Sequence, residues 1–115
     1  MRFLSIFTHE ATNAPPTQAE MAAMGKLIED GMKKGWLIAT EGVSFGATGV
    51  RLHKEASGDI RVTDGPFTEA KEVIGGYALL EAPSREAVLE LTRKFLAVAG
   101  DGTCELHELY THPGH

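Results

Sequence analysis

Four charged side chains, Asp64, Glu69, Lys71 and Glu72, fall within nine residues of one another, beside the turn-forming run Asp64-Gly65-Pro66-Phe67. Asp can bond its own backbone, Gly accepts positive φ, and Pro fixes φ while removing a donor, so the chain must reverse here. A turn that gathers three carboxylates and an ammonium at the end of a sheet can build an acid-base site. A carboxylate becomes a useful base near neutral pH when burial or a second carboxylate raises its pKa. Asp64 is the first candidate for catalysis, and Glu69 and Glu72 are the neighbours that would tune it or touch a ligand. The same residues have plainer uses. Asp64 can simply bond the amides of its turn, and Lys71 between two acids can be a salt-bridged surface lysine.

Other candidates lie further away in sequence. Arg51 offers a planar fork that clamps a carboxylate ligand or pairs with Asp64 or Glu41. His9, at the end of the first strand, is a proton-transfer group by type and joins the ligand-binding candidates. His53 and His107 lie on other strands and can equally fill surface positions, while His112 and His115 belong to a polar tail. Gly42-Val43-Ser44-Phe45-Gly46 matches a nucleophile elbow in letters, but a strand rather than a helix follows it, so the match is read as chance. The glycines from Gly42 to Gly49 lack the lysine and the spacing of a phosphate-binding loop. Cys104 stands without an adjacent base and reads as a buried strand thiol. No metal-ligand spacing occurs, and no cofactor is expected.

Composition narrows the classes. At 115 residues, 43% hydrophobic and 23% charged, the chain has the balance of one globular domain spanning 1–115. A formal charge of −5 with eleven scattered Lys and Arg disfavours nucleic acid. The apolar run from Phe3 to Phe7 is too short for a signal segment or a membrane span, and a lone cysteine suits a reducing compartment, so a cytoplasmic protein is expected.

The elements that must position these groups follow from periodicity. Arg2 to Thr8 carries Phe3 and Phe7 on one side and Leu4 and Ile6 on the other, the pattern of a central strand. Thr17 caps a helix with Met21, Met24, Ile28 and Met32 on one stripe, ended by Gly35, and Glu29 with Lys33 marks its wet side. Strands are expected from Trp36 to Thr40 and from Val50 to Lys54, the latter turning through Ser57-Gly58-Asp59 into a strand from Ile60 that delivers Asp64. Gly75 to Glu81 is another strand. Ser84 opens a second helix with Val88, Leu91, Phe95 and Val98 inward and Gly100 at its end, and Cys104 to Thr111 closes as a strand. This order predicts an α+β, ferredoxin-like split βαβ plan with an inserted β-hairpin. Two helices cover one sheet face only, yet the strands are apolar on both, so a second copy is expected to cover the other face and make a homodimer.

The Asp64-to-Glu72 segment with Gly75-Gly76-Tyr77 resembles the signature of the DGPF branch of the YCII-related family, small bacterial proteins that mostly have no established reaction. The resemblance covers nearly the whole chain and is strongest from Thr40 to Leu80. It implies a dimeric α/β barrel and an Asp, matched by Asp64, near a cleft beside the sheet. Relatives outside the branch often carry in the first helix a His that would pair with that Asp. Met24 stands at about that position, and a thioether has no proton to move. Arg51 matches a Thr-x-x-Arg pattern of relatives, and His107 stands where branch members commonly have Arg. Gene neighbourhoods in the branch also imply a partner linked to an extracytoplasmic-function sigma factor.

Three readings follow. The first is binding of a small polar or anionic molecule near Asp64 and Arg51, extending to acid-base lyase, isomerase or hydrolase chemistry. The second is a non-catalytic ligand-binding or regulatory accessory protein. The third is a dimer in which the Asp64 turn only fixes the fold.

Overall fold

The computed structural model describes residues 1–10, 15–43, 49–65 and 72–110. Its elements are β1 (Arg2–Glu10), α1 (Gln18–Lys34), β2 (Leu37–Gly42), β3 (Val50–Lys54), β4 (Ile60–Asp64), β5 (Glu72–Glu81), α2 (Arg85–Ala99) and β6 (Thr103–Glu108). Four strands form one antiparallel sheet in the order β2-β5-β1-β6, and β3 pairs with β4 as a separate ribbon. With the ribbon set aside, the order and the two crossover helices are those of a ferredoxin-like α+β fold.

Local chemistry sets the helix ends. Thr17 and Glu20 form a reciprocal capping box, with the Glu20 amide donating to the Thr17 hydroxyl at 3.1 Å and the Thr17 amide donating to the Glu20 carboxylate at 2.9 Å. Gly35 closes α1, its amide donating to the Gly31 carbonyl at 3.0 Å. On α2 the Ser84 hydroxyl accepts from the Ala87 amide at 3.1 Å. The strand ends differ from the pattern-based expectation by a few residues: β2 runs on to Gly42, β5 starts at Glu72 and β6 ends at Glu108. Strand pairing runs past the expected limits in β2 and β5 and stops short of them in β6, so periodicity reads these limits poorly. The i,i+4 ion pair on α1 is Lys34 with Asp30 at 3.2 Å, one position on from Glu29 and Lys33.

Register assigns the two sheet faces. Phe3 opposes Leu80, Phe7 opposes Gly76, and Leu106 opposes Ser5, placing these on the side where both helices pack. There Phe3, Leu37, Leu80, Ala82 and Val88 are buried together, with Ile28 from α1 and Leu91 from α2 against them. Phe95 meets Phe7 edge-on at 5.3 Å. The other face carries Leu4, Ile6, Tyr77 and Leu79 in neighbouring register positions, with Ile74 beside them. Neither α1 nor α2 lies over it, and the molecule measures 47 × 43 × 20 Å along its principal axes. Among the described residues, no helix is long and apolar enough to cross a membrane.

Helix α1 contains two glycines in opposite situations. A methyl at Gly25 meets nothing within 4 Å, whereas one at Gly31 falls 2.7 Å from the Trp36 ring. Gly25→Ala is therefore expected to stabilise the protein by up to about 1 kcal/mol through helix propensity. Gly31→Ala is expected to destabilise it by about 1–3 kcal/mol through overpacking, and thermal melts of the two variants should shift in opposite directions.

The capping box also titrates. Hydrogen bonds from the Thr17 amide and side chain hold the Glu20 carboxyl below its ordinary pKa. Its contribution is present above the ordinary glutamate value and lost as pH falls through the lowered folded value. Glu20→Gln should flatten that acidic segment of the melting-temperature profile relative to wild type.

Candidate functional site

Strand β1 ends where β5 and β6 begin, and an irregularity in pairing shapes this end of the sheet. Phe7 opposes Gly76 while Thr8 opposes Ile74, so Gly75 is the extra residue on β5. The space a side chain would need there is taken: a Cβ on Gly75 would lie 2.8 Å from Cδ2 of His9 and 2.9 Å from Cδ2 of Phe7. Gly102 is similarly constrained, with Phe7 ring carbon Cζ 2.6 Å from where its Cβ would be. The Phe7 and His9 rings stand 5.8 Å apart. Beyond the irregularity His9 opposes Val73 and Glu10 opposes Glu72.

These constraints leave a hollow of about 270 Å³ lined by Thr8, His9, Glu10, Glu72, Asp101 and Thr103, with Gly102 in its wall. His9 is half-buried, and its Nδ1 lies 2.8 Å from the Glu10 carbonyl oxygen. A carbonyl can only accept, so this contact requires the hydrogen on Nδ1 and leaves proton exchange to Nε2. The lining thus includes an imidazole, two threonines and three acidic residues, with strand alternation placing His9 on the sheet face of Phe7 and placing Thr8, Glu10, Glu72 and Thr103 on the other. It can hold a small polar molecule by hydrogen bonds and move a proton on it. A second hollow of about 330 Å³, between Phe3, Val88, Leu89 and Leu106, is mainly apolar, with Arg85 and Glu108 as its charged residues.

The sequence-derived candidates fall into two groups. His9 and Glu72, far apart in sequence, both line the polar hollow. Asp64 and Arg51 lie on the ribbon, where Asp64 opposes Val50 and Arg51 opposes Thr63, so alternation puts their side chains on opposite faces. Both are exposed, and neither lines the two hollows. Glu69 lies outside the described residues, as do Pro66, Phe67, Lys71, the Ser44 of the elbow-like segment, and His112 and His115. His53 opposes Arg61 on the ribbon, and His107 lies 3.5 Å from Glu105 on β6. Met24 is half-buried on α1.

Sequence reading passed over Asp101, Thr8 and Thr103. The available signal was Gly100-Asp101-Gly102, a polar residue between a helix stop and a strand start. That this turn abuts the end of β1 depends on the β1–β6 register. Burial pushes the Cys104 thiol pKa up, with a hydrogen bond to Ser5 acting the other way, which disfavours a nucleophilic thiolate. Among the described residues, no group of three or more His, Cys, Asp or Glu is arranged to hold a metal ion.

The family model of the YCII-related domain matches residues 1–109. The chain belongs to the YCII-related family. No curated protein matches it. In this YCII-related chain the polar hollow is built from both ends of the matched region, with β1 and β6 each supplying residues.

The crowding at Gly75 gives a direct check on the site's construction. Gly75→Ala should displace the His9 ring, visible as a changed imidazole chemical shift in NMR spectra. The overpacking should cost about 1–3 kcal/mol of stability. An unchanged His9 resonance would show that the glycine does not set its position.

Proposed function

We propose that this YCII-related protein is a cytoplasmic homodimer of the DGPF branch that binds a small polar or anionic molecule at the end of its sheet. The observation that carries this reading is the polar hollow at the sheet end, whose lining includes His9, Glu72, Thr8, Asp101 and Thr103. Asp64 sits at the root of the ribbon, close in sequence to the start of β5, and is the second group assigned to the ligand. Arg51 and Glu69 complete the set, Arg51 as the orienting cation.

The reading extends to acid-base chemistry. His9 has the half-buried, oriented ring that proton transfer needs, and Asp64 would act as base if assembly desolvates it. The exposure of Asp64 in the single chain favours a second reading, a non-catalytic binding or accessory protein linked to an extracytoplasmic-function sigma factor.

The homodimer part rests on the uncovered sheet face. Leu4, Ile6, Tyr77 and Leu79 occupy one contiguous patch, which a second sheet packed about 10 Å away would dry. Two such sheets face to face make the dimeric α/β barrel, with β3–β4 as an inserted hairpin.

A thermal-shift screen of small metabolites, carboxylates and amines included, tests the binding claim. A ligand present at a hundred times its Kd should stabilise wild type by about 2.7 kcal/mol. His9→Gln and Glu72→Gln should lose that shift while keeping the ligand-free melting temperature. Asp64→Asn preserves shape, so retained binding with lost turnover would assign it to chemistry. A ligand whose shift survives both His9→Gln and Glu72→Gln binds elsewhere and overturns the assignment.

A further inference from the structure

The β3–β4 ribbon has one apolar face that its own chain leaves in water. Val50, Leu52, Ile60 and Val62 share that face by register. Their exposures are 54%, 63%, 61% and 59%. The opposite face carries Arg51, His53, Arg61 and Thr63. The same register puts Lys54 and Asp64 at the two ends of the apolar face, so a four-residue apolar centre is flanked by charges, and such a centre set against a polar opposite face is the pattern of a strand pair with one side packed against something. An isolated two-stranded hairpin is marginal in water, so the ordered ribbon also needs support.

Topology places the ribbon beyond the end of the sheet. In β2 and β5, Gly42 opposes Gly76, and the Val43 amide still donates to the Gly75 carbonyl at 2.9 Å. Pairing is found again at the Gly65 amide, which donates to the Gly49 carbonyl at 2.6 Å, and continues through Val50 with Asp64. The ribbon is thus the outer part of the same antiparallel excursion of the chain. A radius of gyration of 16.5 Å agrees with an arm that stands away from the body. Compact packing of a chain this length gives about 13 Å.

We infer that the apolar face of this ribbon packs on a second copy of the chain, as an arm that reaches across the homodimer. The inference rests on the face-to-face dimer proposed above. Area favours this occupant over an unrelated partner. Four strands at about 4.8 Å spacing and about six residues long give the open sheet face a plan area on the order of 400 Å². A specific interface needs about 800 Å² per partner. The sheet face alone is about half of that, and an arm from each subunit supplies further apolar area on the same assembly. Because the arms extend from the ends of β2 and β5, two adjacent strands of that face, a partner seated on the sheet lies within their reach.

The test uses wild-type protein in a mixed dimer, one subunit labelled with ¹³C and ¹⁵N and the other unlabelled. Isotope-filtered NOE spectra then report only contacts between subunits. Methyl groups of Val50, Leu52, Ile60 and Val62 should show intermolecular NOEs in addition to those from Leu4 and Leu79. Intermolecular NOEs from Leu4 and Leu79 alone would overturn the arm while leaving the face-to-face dimer intact. A monomeric sample with no intermolecular NOEs would overturn both. As an independent measure, Leu52→Lys with Val62→Lys should weaken dimerisation at least tenfold in sedimentation equilibrium, with the far-UV spectrum of the main sheet and helices retained. An unchanged dimerisation constant would contradict the arm.

Discussion

A four-stranded sheet with helices on one side only is the constraint from which the rest follows. The helix-covered side supplies the core, centred on Phe3, Leu37, Leu80, Ala82 and Val88. The other side places Leu4, Ile6, Tyr77 and Leu79 together, half-buried except for the exposed Tyr77. Exposed apolar atoms are ordinary when scattered, and it is the contiguity of this patch across two central strands that underlies the homodimer proposed above. The same logic applies to the ribbon, whose apolar face lies outside that core. A small domain buries a limited fraction of its surface, and assembly is one physical route to stability for such a chain.

The candidate site lies at the end of the same sheet, with Phe7 and His9 on the covered side. Phe7 is anchored by Phe95 of α2, and its ring, with that of His9, occupies the space that side chains at Gly75 and Gly102 would take. The extra residue at Gly75 shifts the pairing just before Thr8, and the β1–β5 ladder then resumes through Glu10, ending beside Glu72 at the hollow that Asp101 and Thr103 also line. Core packing and site construction meet in one aromatic residue. A change at Phe7 would therefore be felt in both.

What sequence reading recovered was mostly local. The Thr17 cap, the Gly35 and Gly100 stops and the alternation of β1 depend on residues a few positions apart, and the structure reproduces each. The site depended on longer distances. His9 and Glu72 were both named from their chemistry, but their shared place in the hollow's lining rests on pairing between strands some sixty residues apart, which periodicity does not encode. Asp64 and Arg51 seemed natural partners from sequence, and strand alternation places them on opposite ribbon faces. Asp101 was missed because nothing about Gly-Asp-Gly shows which strand end it meets.

Sedimentation of wild-type protein across the low micromolar range tests the central claim most directly. A species of about twice the 12.4 kDa chain mass, persisting on dilution, is the result expected if the open sheet faces close on each other. A well-folded species that stays at 12.4 kDa would contradict the account, because the apolar patch would then be stable in water without a partner.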